Sequence, residues 1–287
     1  RGRAGNVGIA GGPLVTAVLL LAFDWRFVAV LLSVPALLAA LGGLRVRFDS
    51  TAAIDDDAKA ANDNRSGPSS LAEFVGETKR LFTVGFILVF VIVAFNGLYY
   101  RGVLTFLPDL LGDFLTAAVG DVRLGIFDPD SPLAEDFDLS SYLYAGLLTV
   151  GIGGQYLGGR LTDRLPVEQG LQIAFGAMFA ITIGFAVALQ FGGGWVLLAG
   201  GVLGVVLFFI QPLTQATVAE FTPPSARGVS YGFSYFGTFG VGAIGGLLAG
   251  VVLTTASVPA LFGVLAVLAV GGLGLAVLLD AVGVRPV

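Results

Sequence analysis

The sequence has no cysteine and no histidine among its 287 residues. Disulfides, thiol nucleophiles and the usual transition-metal ligands are therefore excluded, and we expect neither a metal nor a cofactor. Charge is also scarce, because Asp, Glu, Lys and Arg make up 12% of the chain, against about 25% in a soluble domain. Only two of the basic residues are lysine, Lys59 and Lys79. The basic residues form no patch for nucleic acid.

Apolar residues take the place of the missing charge: 56% of the chain is hydrophobic and the mean hydropathy is +0.91. This composition indicates a polytopic, all-α protein whose surroundings are a lipid bilayer. Eight segments are apolar and long enough to span it as helices, roughly 4–23, 27–44, 81–111, 142–159, 171–191, 195–219, 229–253 and 258–279. The third is too long for a simple span and contains Pro108, so we expect it to end near 100–104 and then kink or project outside.

Two connections between these spans are long and polar. Residues 45–80 contain "DDD" and "NDNRSGPSS", which predict a flexible linker. Apolar residues at helical spacing near its end, from Leu71 to Phe82, predict a short interfacial helix. The other connection, 112–139, is an acidic loop.

The basic residues are distributed unevenly about these spans. Twelve of the 15 fall on the side that holds residue 1, and the other three are Arg26, Arg101 and Arg123. Lys and Arg are enriched in cytoplasmic loops. Both ends of the chain are therefore predicted to be cytoplasmic, in a multi-pass protein of the plasma membrane.

Two segments of the sequence repeat each other weakly. "RGRAGNVGIAGG" at 1–12 and "RGVSYGFSYFGTFG" at 227–240 each pass from Arg-Gly through small residues into a glycine-rich span. If they are equivalent, the first and seventh spans are the penultimate helices of two bundles. The second bundle has six spans, so the first lacks four at its beginning.

Further motifs stand at the ends of the spans. "GGRLTDRLP" at 158–166 and "AEFTPPSARG" at 219–228 lie on the predicted cytoplasmic side, and "FLP" stands at 106–108. With the repeat, they make the chain resemble the major facilitator superfamily of secondary transporters. Gly159, Leu161, Asp163 and Arg164 match the family's Gly-x-Leu-x-Asp-Arg-x-Gly-Arg-Arg loop, although Pro166, Val167 and Glu168 replace its last Gly and two basic residues.

The resemblance implies a fold and a domain organisation. We expect eight of twelve transmembrane helices: the last two of an N-terminal bundle in 1–44, a cytoplasmic linker in 45–80, and a C-terminal six-helix bundle in 81–287. The partner of these segments would be the missing helices one to four of the same protein. "GIAGGP" at 8–13 matches part of an antiporter motif of the family, and Thr16 and Ala17 depart from it, so antiport is suggested.

Polar residues are concentrated in the third, sixth and seventh spans, where they cost free energy unless they face protein or a cavity. Several share helix faces at i, i+3 and i+4. The resemblance makes these spans helices seven, ten and eleven, which line the central cavity. The predicted substrate-binding residues are Asn96, Tyr99, Tyr100, Arg101, Gln211, Gln215, Ser234, Tyr235 and Thr238. A belt at the membrane interface is the alternative for the tyrosines.

Arg101 has two interpretations. At or beyond the outer third of its span, it could extend its head group to the interface and pair with Asp109, or it could hold a carboxylate or phosphate of the substrate. A second set of residues is predicted to act in conformational change: Gly8, Gly12, Pro13, Gly159, Asp163, Arg164, Glu220 and Arg227. Ordinary solvated loop charge is the alternative for the charged members of this set.

Pairs of glycines four residues apart occur in several spans and predict close helix packing. They are Gly154/Gly158, Gly200/Gly204, Gly242/Gly246 and Gly246/Gly250.

We therefore predict a secondary active transporter of a small organic solute (drug, metabolite or organic anion) that works by alternating access. The coupling ion would be a proton or sodium. No span contains a carboxylate at mid-membrane, so a titrating acid would belong to the missing helices. An enzyme is not expected, since no clustered nucleophile or acid pair is present. A channel and a membrane subunit of an ATP-driven transporter are the alternatives.

Overall fold

The computed structural model describes residues 23–45, 81–119, 139–223 and 226–283, with five single positions at 15, 19, 76, 78 and 79. These residues form helices and no strand, which confirms the all-α class. The helices are α1 (Trp25–Arg45), α2 (Val84–Val119), α3 (Leu139–Thr162), α4 (Val167–Ala188), α5 (Gly193–Glu220), α6 (Arg227–Tyr235), α7 (Ala243–Thr255) and α8 (Val258–Val282). A six-residue π-helical segment, Phe236–Val241, joins α6 to α7 and is called the π turn below.

The described residues contain six helices long and apolar enough to cross a membrane, where the sequence predicted eight. The first predicted span lies almost wholly outside the described residues. The predicted span 142–159 is helical as part of α3 but is not one of the six. The tyrosines, Gln155 and the many glycines of α3 lower its mean hydropathy. Of the predicted linker and interfacial helix, the structure describes Arg45, Gly76, Thr78, Lys79, Leu81 and Phe82.

α2 differs from the prediction at its far end. It continues as one helix of 36 residues through Pro108, and its apolar window runs to Phe114, beyond the predicted end of the span near 100–104. Proline costs a helix one backbone hydrogen bond, and packing against neighbouring helices offsets that loss. At 1.5 Å per residue α2 is about 54 Å long, longer than the roughly 30 Å of a hydrocarbon core. This length agrees with the expectation that the segment projects beyond a simple span.

α2 to α8 form one bundle. Their short connections at 163–166, 189–192 and 256–257 make neighbouring helices antiparallel. α3 packs on α5, α4 on both α5 and α8, and α2 on α5, α7 and α8. The centre is apolar and includes Phe175, Phe185 and Phe262, of which Phe185 and Phe262 stack with ring centroids 4.4 Å apart.

Glycines bring the backbones of this bundle together, and at Gly154 and Gly158 they do so as their spacing predicted. A Cβ at Gly154 or Gly158 would overlap the carbonyl of Val205 or Phe209 on α5. A Cβ at Gly245 would overlap the carbonyl of Leu98 on α2. Small residues allow such approach and let dispersion contacts hold helices together where lipid offers no hydrophobic driving force.

α1 is much less buried than the helices of this bundle. Only 6% of its apolar window, Arg26–Gly43, is buried, and Val30, Leu37 and Leu38 are each 59% exposed or more. An apolar helix needs lipid or further helices around such a surface.

Candidate functional site

The π turn lies in the middle of the 227–255 segment, where its backbone packs closely on α2. Gly242 N–H donates to the Gly237 carbonyl at 3.0 Å, an i to i+5 bond. A Cβ at Gly97 would lie 2.6 Å from the Thr238 carbonyl oxygen, so only glycine fits there without a shift. The glycine-rich sequence of the turn favours this irregular backbone. π-helical turns in α-helices are frequent at functional sites.

Arg101, Phe239 and Tyr235 form a cation–aromatic cluster beside the π turn. The Arg101 guanidinium carbon lies 5.4 Å from the centroid of the Phe239 ring, and Phe239 stacks on Tyr235 with centroids 5.9 Å apart. Arg101 is exposed, and Tyr235 and Phe239 are 61% and 46% exposed. Within the part of the chain that the structure describes, no ion pair joins Arg101 to Asp109. The cluster thus offers an open positive charge next to two aromatic faces.

A second polar group lies where α2, α3 and α5 meet. Gln155 of α3 donates from Nε2 to Oε1 of Gln211 on α5 at 2.9 Å. One turn before Gln211, the Phe208 ring meets the Tyr100 ring edge to face at 5.9 Å. Gln211 and Tyr100 are partly exposed. Since Tyr100 and Arg101 are consecutive in α2, this helix connects the amide pair with the cation–aromatic cluster.

Asn96 and Tyr99 occupy the interior of the bundle. Tyr99 is fully buried, and its hydroxyl lies 2.6 Å from Oγ1 of Thr182 on α4. Asn96 is 4% exposed, and its Oδ1 is buried and accepts no hydrogen bond from a described residue. The structure therefore does not bring Tyr99 together with Tyr100 and Arg101, although the three are adjacent in sequence.

The other predicted binding residues lie on α5, α6 and the π turn. Gln215 is exposed one turn beyond Gln211. Ser234 donates to the Ser230 carbonyl at 2.8 Å, and Thr238 contributes its carbonyl to the contact with Gly97.

Those predicted conformational residues that the structure describes lie at one end of the bundle. Asp163 and Arg164 are exposed in the turn between α3 and α4, and Glu220 is the exposed last residue of α5. Gly159 is in α3 with open space around it. Arg227 begins α6, but its side chain is not among the described groups, and Gly8, Gly12 and Pro13 also lie outside the described residues.

Three residues of these groups were not predicted from the sequence: Gln155, Phe208 and Phe239. Gln155 was detectable, because it is the one amide side chain in the predicted span 142–159. Phe239 follows Tyr235 by four residues, the spacing that places two residues on one face of a helix. Phe208 has no sequence feature that separates it from other apolar residues.

Comparison with known families decides what this bundle is. The family model of the Major Facilitator Superfamily matches residues 2–244. The chain belongs to the Major Facilitator Superfamily. As a member, it is a multi-pass membrane protein of a transporter family, as the motifs predicted. No curated protein matches the sequence.

A solved structure supports the fold of this superfamily member. It is described as the crystal structure of a Major Facilitator Superfamily transporter, FucP, in the outward conformation. The TM-score is 0.52 and the identity is 17%, over 91% of this chain and 59% of that one. The chain therefore spans less than two thirds of the length of FucP.

Proposed function

We propose that the chain is part of a secondary active transporter that moves a small organic anion by alternating access. Residues 81–287 would form its C-terminal bundle and residues 1–44 the last two helices of the other bundle, with 45–80 as the cytoplasmic linker. Membership of the superfamily supports the transport activity. The exposed surface of α1 fits a helix whose neighbours belong to a bundle only partly contained in this chain.

The placement of Arg101 carries the proposal of an anion. It is an exposed charge within the apolar window Val84–Phe114. A charged side chain within a membrane-spanning segment is costly and usually has a function. No described carboxylate pairs with Arg101, and among the described residues its guanidinium lies over the uncharged Phe239 ring. A substrate carboxylate or phosphate would supply the missing negative charge.

The surroundings of Arg101 indicate the rest of the substrate. Tyr235 and Phe239 offer stacked aromatic faces, which favour an apolar or aromatic portion next to the acidic group. Antiport and coupling to a proton or sodium remain part of the proposal. The "GIAGGP" motif supports antiport, and since the apolar centres of these spans hold no carboxylate, the titrating acid of a proton-coupled transporter would lie in its other helices.

The charged residues at one end of the bundle are proposed to stabilise one of the two transport states. Asp163, Arg164 and Glu220 are exposed there, where contact with a second bundle would form and break in alternation.

Substitution of Arg101 tests the proposed substrate class. With the full-length transporter in proteoliposomes, we expect Arg101→Ala to lower the affinity for labelled benzoate at least tenfold, and Arg101→Lys to retain part of it. Arg160→Ala is the matched control, because Arg160 also lies over an aromatic ring, Tyr156 at 5.0 Å, but near a helix end. Unchanged benzoate affinity in both Arg101 variants would contradict the proposal. Single-channel currents would indicate a channel instead.

A further inference from the structure

The donor direction of the Gln155–Gln211 amide pair follows from the surroundings of its two ends. Gln155 Nε2 donates to Gln211 Oε1, so the acceptor of Gln211 is occupied. Gln155 Oε1 is buried and accepts no hydrogen bond from a described residue. Gln211 is partly exposed, and its Nε2 donates to no described residue.

The opposite direction would cost more free energy. Turning both amides would place Gln155 Nε2, with two N–H donors, at the buried position now held by an oxygen. Orphaned buried N–H groups are rarer in proteins than under-satisfied carbonyl oxygens. The direction in the structure is therefore favoured, and Gln155 determines which end of the Gln211 amide is left available.

We infer that Gln155 is a positioning residue that makes Gln211 a hydrogen-bond donor toward the substrate. The inference rests on the proposed function and deepens it. Gln211 presents N–H groups, and Arg101 presents only donors as well. Phe208, one turn before Gln211, contacts Tyr100, which precedes Arg101 in α2. A site with these donors selects solutes rich in acceptor oxygens, such as carboxylates, over alcohols of the same shape.

Binding of benzoate and benzyl alcohol to the full-length transporter tests the inference, since the two differ in the oxygen group alone. Gln155→Met keeps the shape of the side chain but leaves Gln211 free to turn. We expect it to lower the ratio of benzoate to benzyl alcohol affinity roughly twofold, because binding must then fix one of two orientations of the Gln211 amide. Gln211→Met removes the donor itself and should lower the ratio roughly tenfold, the effect of one hydrogen bond to a charged group, and the double variant should lower it no further than Gln211→Met alone.

Gln155→Glu is a second variant, for the case that Gln155→Met does not fold. Its carboxylate only accepts hydrogen bonds, so the Gln211 amide should turn and present its oxygen to the substrate. We expect a larger loss of the ratio, and part of that loss should disappear when Gln211→Met is added. If the charge at position 155 acts alone, the loss will be the same in both backgrounds, which would overturn the inference.

The two proposals fail in different ways. If Arg101→Ala binds benzoate as the unaltered protein does, the proposed substrate class is wrong. If Arg101→Ala loses benzoate while all Gln155 variants keep the affinity ratio, the anion site stands and the role of Gln155 is wrong. Additive effects of Gln155→Met and Gln211→Met would likewise contradict a role exerted through Gln211.

Discussion

Tyr99 and Tyr100 are consecutive residues with different surroundings. Consecutive side chains on a helix point about 100° apart. Tyr99 points into the bundle toward Thr182 of α4, and Tyr100 points toward Phe208 of α5. The fully buried Tyr99 therefore stabilises the packing of α2 on α4, while the partly exposed Tyr100 remains accessible.

Removing the Tyr99 hydroxyl should affect stability and leave substrate binding unchanged. Tyr99→Phe loses one buried hydrogen bond to Thr182, whose hydroxyl still donates to the Met178 carbonyl at 2.6 Å. We expect a loss of about 1 kcal/mol in the free energy of unfolding. Size-exclusion chromatography after heating in detergent measures it, with the exposed Tyr235→Phe as the control. A benzoate affinity lowered by Tyr99→Phe at unchanged stability would contradict this assignment.

The sequence could predict which helices carry polar residues but not how each side chain is used. Asn96, Tyr99 and Tyr100 follow the i, i+3, i+4 spacing of one helix face. That face of α2 is wide enough for its residues to contact both α4 and α5. Which neighbour each residue meets depends on the packing of three helices. Gln155 was missed for the same reason, because its importance comes from its contact with Gln211 of another helix.

At the scale of elements, the contact between α2 and the π turn depends on Gly97. Its backbone approaches the Gly237 and Thr238 carbonyls so closely that no side chain fits between. This contact sets the position of the Phe239 ring relative to the Arg101 guanidinium.

Gly97→Ala should separate these two elements. The added Cβ would lie 2.6 Å from the Thr238 carbonyl oxygen, and a backbone atom cannot move aside as a flexible side chain does. We expect a loss of about 1–3 kcal/mol, the usual cost of overpacking, and weaker benzoate binding. Gly176→Ala is the matched control, since its Cβ would meet nothing within 4 Å. Equal thermal stability of the two variants would show that the contact is not as close as described.

Hydropathy predicted most of the spans, because length and apolar content are properties of each segment alone. It could not predict that α2 continues through Pro108, since neighbouring helices offset the lost hydrogen bond. The π turn was equally invisible, because it depends on where the α2 backbone meets a run of glycines.

At the scale of the whole molecule, the antiparallel bundle makes the orientation testable. The turn at 163–166 and the connection at 189–192 lie at opposite ends, because α4 runs between them. The distribution of Lys and Arg predicts that the first is cytoplasmic.

Labelling of single thiols should show this orientation. These 287 residues contain no cysteine, so each introduced one is unique among them. In intact cells we expect a membrane-impermeant maleimide to label Gly194→Cys and not Asp163→Cys, both of which are exposed positions. Permeabilised cells provide the control, in which both variants should react. The reverse pattern would invert the predicted topology.

The π turn also sets a phase between the two halves of the segment that contains it. One extra residue within a helical turn rotates everything beyond it by about 100°. The faces of α6 and α7 therefore follow two separate helical wheels, and a single wheel drawn over 227–255 would assign the glycines of α7 to the wrong side. Deletion of one residue in Phe236–Val241 would rotate one half of the segment by about 100° relative to the other. The side chains of that half would then face different neighbours, although its sequence is unchanged.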